Sequence, residues 1–150
     1  MASKVSASFF DADRVLFVGY SSKHAAYCGA IRNAFEARGA TVYPVNPKAG
    51  SFDTQVYASV AETPQAAELA VVITNKVRNL PLLDELAAKG VKRIIFGSKI
   101  SADEAILARC AILGIDGLVL CPLQALGSGL HRFHGWLTGI PYLGPKRASA

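Results

Sequence analysis

At 150 residues the chain is read as one domain over 1–150, long enough to bury roughly 70% of its unfolded surface. Hydrophobic residues make up 51% and charged ones 18%, a balance that suits a sheet covered on both faces. No apolar run approaches the about 18 residues that cross a bilayer, and the net charge of +5 is scattered rather than gathered into a basic stripe, so membrane and nucleic-acid partners are excluded and a small anionic ligand is favoured.

Val15–Val18 is a short apolar run that stops at Gly19-Tyr20-Ser21-Ser22, the pattern of a buried strand and a turn. Tyr27 to Arg38 carries Ile31, Ala34 and Phe35 at helical spacing, with Gly39 as the stop. Thr41–Val45 is the second strand, closed by Pro44 and Pro47. A polar stretch over 48–55 leads to Val56-Tyr57 and a turn at 59–62. Leu69–Thr74 is nearly all aliphatic and forms the third strand. A helix starting at Val77 or Pro81 runs to Lys89 and stops at Gly90, before the fourth strand, Arg93–Phe96. Ser101-Ala102-Asp103-Glu104 reads as a capping box that opens a helix to Leu113. Gly117–Leu120 is the fifth strand, ended by Pro122, and 124–150 is a C-terminal helix and tail extension.

Strands alternating with helices imply βαβ units and a parallel sheet. The expected fold is α/β: a doubly wound, Rossmann-like domain of about five strands in the order 3-2-1-4-5. In such a sheet a ligand binds beyond the carboxyl ends of the strands, where the strand order reverses. The turns after the first four strands carry Lys23, Lys48, Lys76 and Lys99, which together favour an anionic ligand. The second strand ends in Asn46-Pro47-Lys48, where an NAD-binding protein carries an acid for the ribose hydroxyl. A lysine suits a phosphate instead. The first turn lacks the dinucleotide glycine fingerprint, since no second glycine arrives before Gly29.

The blocks Ser8-Phe9-Phe10-Asp11, Val18-Gly19-Tyr20-Ser21-Ser22-Lys23, Tyr43-Pro44-Val45-Asn46-Pro47-Lys48, Val56-Tyr57-Ala58-Ser59, Ala70-Val71-Val72-Ile73-Thr74 and Ile94-Ile95-Phe96-Gly97-Ser98 occur in register. With them, and with the exit Leu120-Cys121-Pro122 to Gly127, the chain over 8–127 resembles the CoA-binding domain of the NDP-forming acyl-CoA synthetases. That family includes the succinyl-CoA synthetase α subunit and small stand-alone relatives. The resemblance implies coenzyme A or an acyl-CoA as ligand. Gly19, Ser21, Ser22 and Lys23, with Tyr20 in the same turn, would cradle its phosphates. Val45, Asn46, Pro47 and Lys48 would flank the adenosine, and Ile73, Thr74 and Asn75 would line the pantetheine side. Two departures mark this chain. His24-Ala25-Ala26 replaces an expected glycine, and Cys121-Pro122-Leu123 stands where the family has glycine-proline-asparagine.

The synthetases phosphorylate a histidine in a second domain and bind ATP in a third, neither of which fits in this length. No catalytic or metal-binding residue is assigned. His131 and His134 have no acid after Asp116 to complete a metal site, and Cys28, Cys110 and Cys121 form no paired motif, which fits reduced thiols in the cytoplasm. The expected function is CoA binding without catalysis of its own, as a homo-oligomeric stand-alone module or as the CoA-site subunit for separately encoded synthetase domains. The alternatives are a small NADP-dependent Rossmann enzyme and a ligand-free interaction or dimerisation protein using Phe133, Trp136, Leu137, Ile140, Tyr142 and Leu143.

Overall fold

A computed structural model describes residues 5–48, 50–127, 131, 133, 135, 137 and 139–143. His134 and Trp136 lie outside the described residues. A short 3-10 turn, Ala7–Phe10, precedes β1 (Arg14–Val18), α1 (Ala25–Ala37), β2 (Thr41–Val45), β3 (Leu69–Val72), α2 (Lys76–Ala88), β4 (Arg93–Phe96), α3 (Glu104–Ile112), β5 (Asp116–Val119) and α4 (Pro122–Leu126).

All five strands are parallel. Alternate side chains therefore feed two separate cores. Val15, Phe17, Leu69, Val71 and Ile95 pack under α1 and α4 with Cys28, Ile31, Phe35 and Leu123. Leu16, Val18, Ala70, Val72, Ile94 and Phe96 face the other way, against Leu83 and Leu86 of α2 and Ile106 and Cys110 of α3. Burial on both faces is why these strands read as continuous apolar runs.

The fold class is as expected, but the strand order is 2-1-3-4-5 rather than 3-2-1-4-5. β3 pairs with β1, aligning Val15 with Leu69 and Val18 with Val72. Two features account for the correction. The outer edge of β2 is taken by Tyr57, whose N–H donates to the Pro44 carbonyl (2.9 Å) and whose carbonyl accepts from Asn46 N–H (2.9 Å). Pro44 itself has no N–H to offer a ladder, which suits an edge strand. Meanwhile every residue of β3 is buried, and four consecutive apolar residues are shielded only in the sheet interior.

Helix starts differ from the sequence reading in four places, the first being α1, which begins at Ala25 rather than Tyr27. Asp103, not Ser101, caps α3, accepting a hydrogen bond from Ile106 N–H (3.1 Å). Asn75 caps α2 through Arg78 N–H (3.2 Å), so Pro81 lies inside that helix. Pro122 opens α4, where its fixed φ and missing N–H are tolerated.

Two arginines lock the N-terminal segment down. Arg93 donates to the carbonyls of Ser8 (2.6 Å), Phe9 (2.9 Å) and Asp11 (2.8 Å). Arg38, buried at the C-cap of α1, bonds the Asp11 carboxylate at 2.6 Å and the carbonyls of Ala7 (3.3 Å) and Leu143 (3.4 Å).

Candidate functional site

With the order 2-1-3-4-5 the chain leaves β1 toward one edge and β3 toward the other, so the crevice opens where β1 and β3 lie side by side. Gly19 is the hinge of that crevice. Its φ is +97°, a region open to glycine at little cost. An added Cβ would stand 2.9 Å from Ile73 Cγ1 and 3.1 Å from Thr74 Cγ2. The turns after β1, β2 and β3 are thereby drawn together, with Gly19 N–H on the Val45 carbonyl (2.9 Å) and Ile73 N–H on the Val18 carbonyl (3.1 Å).

After β1, Lys23 N–H donates to Ser21 Oγ (3.2 Å) and Ser21 N–H to Cys28 Sγ (3.4 Å). Burial pushes the Cys28 thiol pKa up, which keeps it a neutral acceptor. The turn enters α1 through His24, whose side chain caps no amide, leaving the positive end of the helix facing the crevice. After β2, Asn46 Nδ2 donates to the Tyr20 carbonyl (2.7 Å) while its Oδ1 accepts from Lys48 N–H (2.9 Å). Asn46 thus fixes the turn that presents Lys48. After β3, the fully buried Asn79 donates to the carbonyls of Thr74 (2.7 Å) and Ser101 (2.7 Å) and accepts from the Thr74 hydroxyl.

These turns enclose a cleft of about 250 Å³. Of the residues expected from sequence, Gly19, Ser21, Ser22, Lys23, Asn46, Pro47, Lys48 and Thr74 line it, joined by Phe52 and Arg78. Among the described residues three cations (Lys23, Lys48 and Arg78) and no carboxylate line this space. Ile73 instead walls a neighbouring hollow of about 290 Å³ with His24, Tyr27, Gly97, Ser98 and Ser101. Val45 is buried in the core, and Asn75 serves as the α2 cap. Tyr20 is buried, and its hydroxyl donates to Asp53 Oδ1 at 2.8 Å. Lys76 lies 3.9 Å from Asp103 and Lys99 does not line the cleft, so two of the four strand-end lysines are not part of it.

Arg78 was accessible to sequence reasoning, since a helix begun at Lys76 puts it in the first turn after β3. Phe52 was signalled only as a lone aromatic in a polar stretch. Among the described residues no cluster of His, Cys, Asp and Glu is suited to a metal ion. His131 lines a hollow between α1 and α4, and its ring centroid lies 6.2 Å from that of Tyr27.

Burial first, and the bond to the Asp53 carboxylate second, push the Tyr20 pKa up to about 12 from 10.0. A raised folded-state value contributes stability below the unfolded pKa and loses it as pH climbs through the folded one. Melting temperature is therefore expected to fall more steeply between pH 10 and 12 in the wild type than in Tyr20→Phe. Parallel melting curves would show that the hydroxyl is not held as described.

A sequence family described as a CoA binding domain matches residues 13–125, most of the chain. The chain belongs to the CoA-binding domain family. Several solved structures share the fold of this CoA-binding domain. Prb, a protein redesigned for binding, matches at 20% identity with a TM-score of 0.68, over 81% of this chain and 89% of its own. A conserved hypothetical protein from Pyrococcus furiosus matches at 24% identity and TM-score 0.59, over 70% of this chain and 90% of its own. A Thermus thermophilus protein matches at 17% identity and TM-score 0.67, over 87% and 94%. No helix of the CoA-binding domain, among the described residues, is long and apolar enough to cross a membrane.

Proposed function

We propose that this CoA-binding domain holds coenzyme A or an acyl-CoA across the carboxyl edge of its sheet and performs no catalysis by itself. The carrying observation is the convergence of Lys23, Lys48 and Arg78, from three different strand-end segments, on one cleft without a carboxylate. Charge-assisted bonds to phosphate are the strongest polar contacts such a surface can make. In this reading the Ser21 and Ser22 hydroxyls and the open α1 amides take the pyrophosphate. Lys48 and Arg78 neutralise the flanking phosphate charge. The pantetheine arm runs into the hollow between Ile73 and Gly97, whose floor is tight: a Cβ at Gly97 would lie 2.8 Å from Ile73 Cγ2. At its wall Tyr27 Oη lies 3.2 Å from Cys121 Sγ. Burial and that thiol push the Tyr27 pKa up, so it meets a ligand as a neutral hydroxyl. The chain acts as one domain, either alone as a homo-oligomer or as the CoA-site subunit of an assembly whose other synthetase domains are separately encoded.

Calorimetric titration with CoA, acetyl-CoA, NADP and NAD at moderate salt tests this. Micromolar binding of the CoA species with no response to NAD or NADP is the expected result. Binding of NADP alone would overturn it in favour of an oxidoreductase, with Lys48 on the 2′-phosphate. Silence from all four would favour an interaction protein.

A further inference from the structure

The cationic cleft continues into a second hollow of about 320 Å³ that shares Asn46, Pro47, Lys48 and Phe52 with it. Beyond the shared residues this hollow is walled by Gly50, Val56 and Ala58, and among the described residues it carries no further charge. Among the described residues Phe52 is the one aromatic ring common to both spaces, and it is half-buried. Its position is set from behind. The ring centroid lies 6.2 Å from that of Tyr20, which is itself seated edge-on against Phe17 at 5.4 Å. The next residue, Asp53, receives the Tyr20 hydroxyl at 2.8 Å and Arg32 Nη2 at 3.4 Å. Arg32 also stands over the Tyr20 ring, 6.0 Å from its centroid. In front, a Cβ on Gly50 would come within 3.3 Å of both Phe52 Cζ and Ser22 Oγ. The ring therefore approaches the phosphate turn with only a glycine's width between them.

We infer that Phe52 is the face on which the ligand's purine base stacks, and that Asp53 is the residue that positions it, through Tyr20 and Arg32. This rests on the CoA reading above and names residues that the reading does not use. An aromatic face beside a cationic groove is the arrangement by which proteins hold a nucleotide base together with its phosphates. The Asp53 contacts tie the 50–56 loop to α1, so ring and phosphate turn are set at a fixed spacing before the ligand arrives.

The test compares three probes on the same protein: CoA, adenosine 3′,5′-bisphosphate, which keeps the base, and 4′-phosphopantetheine, which lacks it. Phe52→Leu is expected to weaken CoA and the bisphosphate by about tenfold or more and to leave phosphopantetheine unchanged, while Phe52→Trp retains all three affinities. Asp53→Ala is expected to show the same selectivity, and the double variant Phe52→Leu/Asp53→Ala to be no weaker than Phe52→Leu alone, because Asp53 acts through the ring. An equal loss for all three probes in Phe52→Leu would overturn the stacking role, since a loop support lowers every affinity. Wild type that binds CoA and the bisphosphate, with Phe52→Leu indifferent to both, overturns this inference alone. Wild type that binds neither overturns the CoA reading and this inference with it.

Discussion

Lys48→Glu is expected to remove measurable CoA binding while the protein melts within a degree or two of the wild type. The side chain is exposed and its backbone N–H is held by Asn46 Oδ1 at 2.9 Å, so the turn persists whichever side chain it carries. Surface replacements of this kind change stability by about 0.5 kcal/mol or less. The ligand feels much more. A charge-assisted bond of about 1.5–3 kcal/mol is lost, and a carboxylate is placed in a cleft whose other cations, Lys23 and Arg78, it then competes to neutralise. The two effects together correspond to a loss of roughly a hundredfold or more, since each 1.4 kcal/mol is about tenfold. Lys48→Ala should fall between the two and show a weaker salt dependence than the wild type. Calorimetry beside thermal melting reads both quantities, and an unaltered affinity in Lys48→Glu would strip the residue of its phosphate role.

The second large effect is on the fold. Asn79→Leu is expected to lower stability by about 3 kcal/mol, because it leaves the Thr74 and Ser101 carbonyls without their donor and the Thr74 hydroxyl without its acceptor. Each buried polar group so orphaned costs about 1–3 kcal/mol. For a chain of this size the melting temperature should drop by roughly 10 °C. Asn79 is fully buried on α2 and reaches Ser101, 22 residues away, so it joins the turn after β3 to the turn that leads into α3. Ligand affinity in Asn79→Leu should fall as well, because Thr74 lines the cleft. Denaturant unfolding supplies the measurement, and a loss below about 1 kcal/mol would mean these carbonyls find other donors.

Local pattern told much of this in advance. β2 and β4 occur over the residues that their apolar runs mark, and α1 ends directly before the Arg38-Gly39 stop. Helix and strand identity depend on neighbours a few residues apart, which a sequence displays. Strand order depends on pairings between distant segments, which it does not. The wrong order still had its warnings: a proline inside β2 and four unbroken aliphatic residues in β3 mark an edge and an interior. The site followed the same division. A parallel sheet gathers its strand-end turns on one side whatever their order, so Lys23, Lys48 and Thr74 were legible as neighbours. Tyr20, expected in the phosphate turn, points inward because Asp53, 33 residues on, offers its hydroxyl a partner. Lys76 and Lys99 were counted with the cleft from loop position alone, which fixes where a residue starts but not where its side chain goes. Ser101 lost its expected capping role for a related reason: it is buried at 1% exposure with its carbonyl on Asn79, leaving Asp103 to cap α3.

Arg38 gathers Ala7, Asp11 and Leu143 around one guanidinium, at the far end of a 13-residue helix whose other end opens on the cleft. A helix of that length spans about 20 Å. Both ends of the described chain thus meet at the pole remote from the ligand. A short linker joining them would permute the molecule circularly without threading past the binding edge. The segments at Ala7 and Leu143 therefore sit a helix length away from the mouth of the cleft.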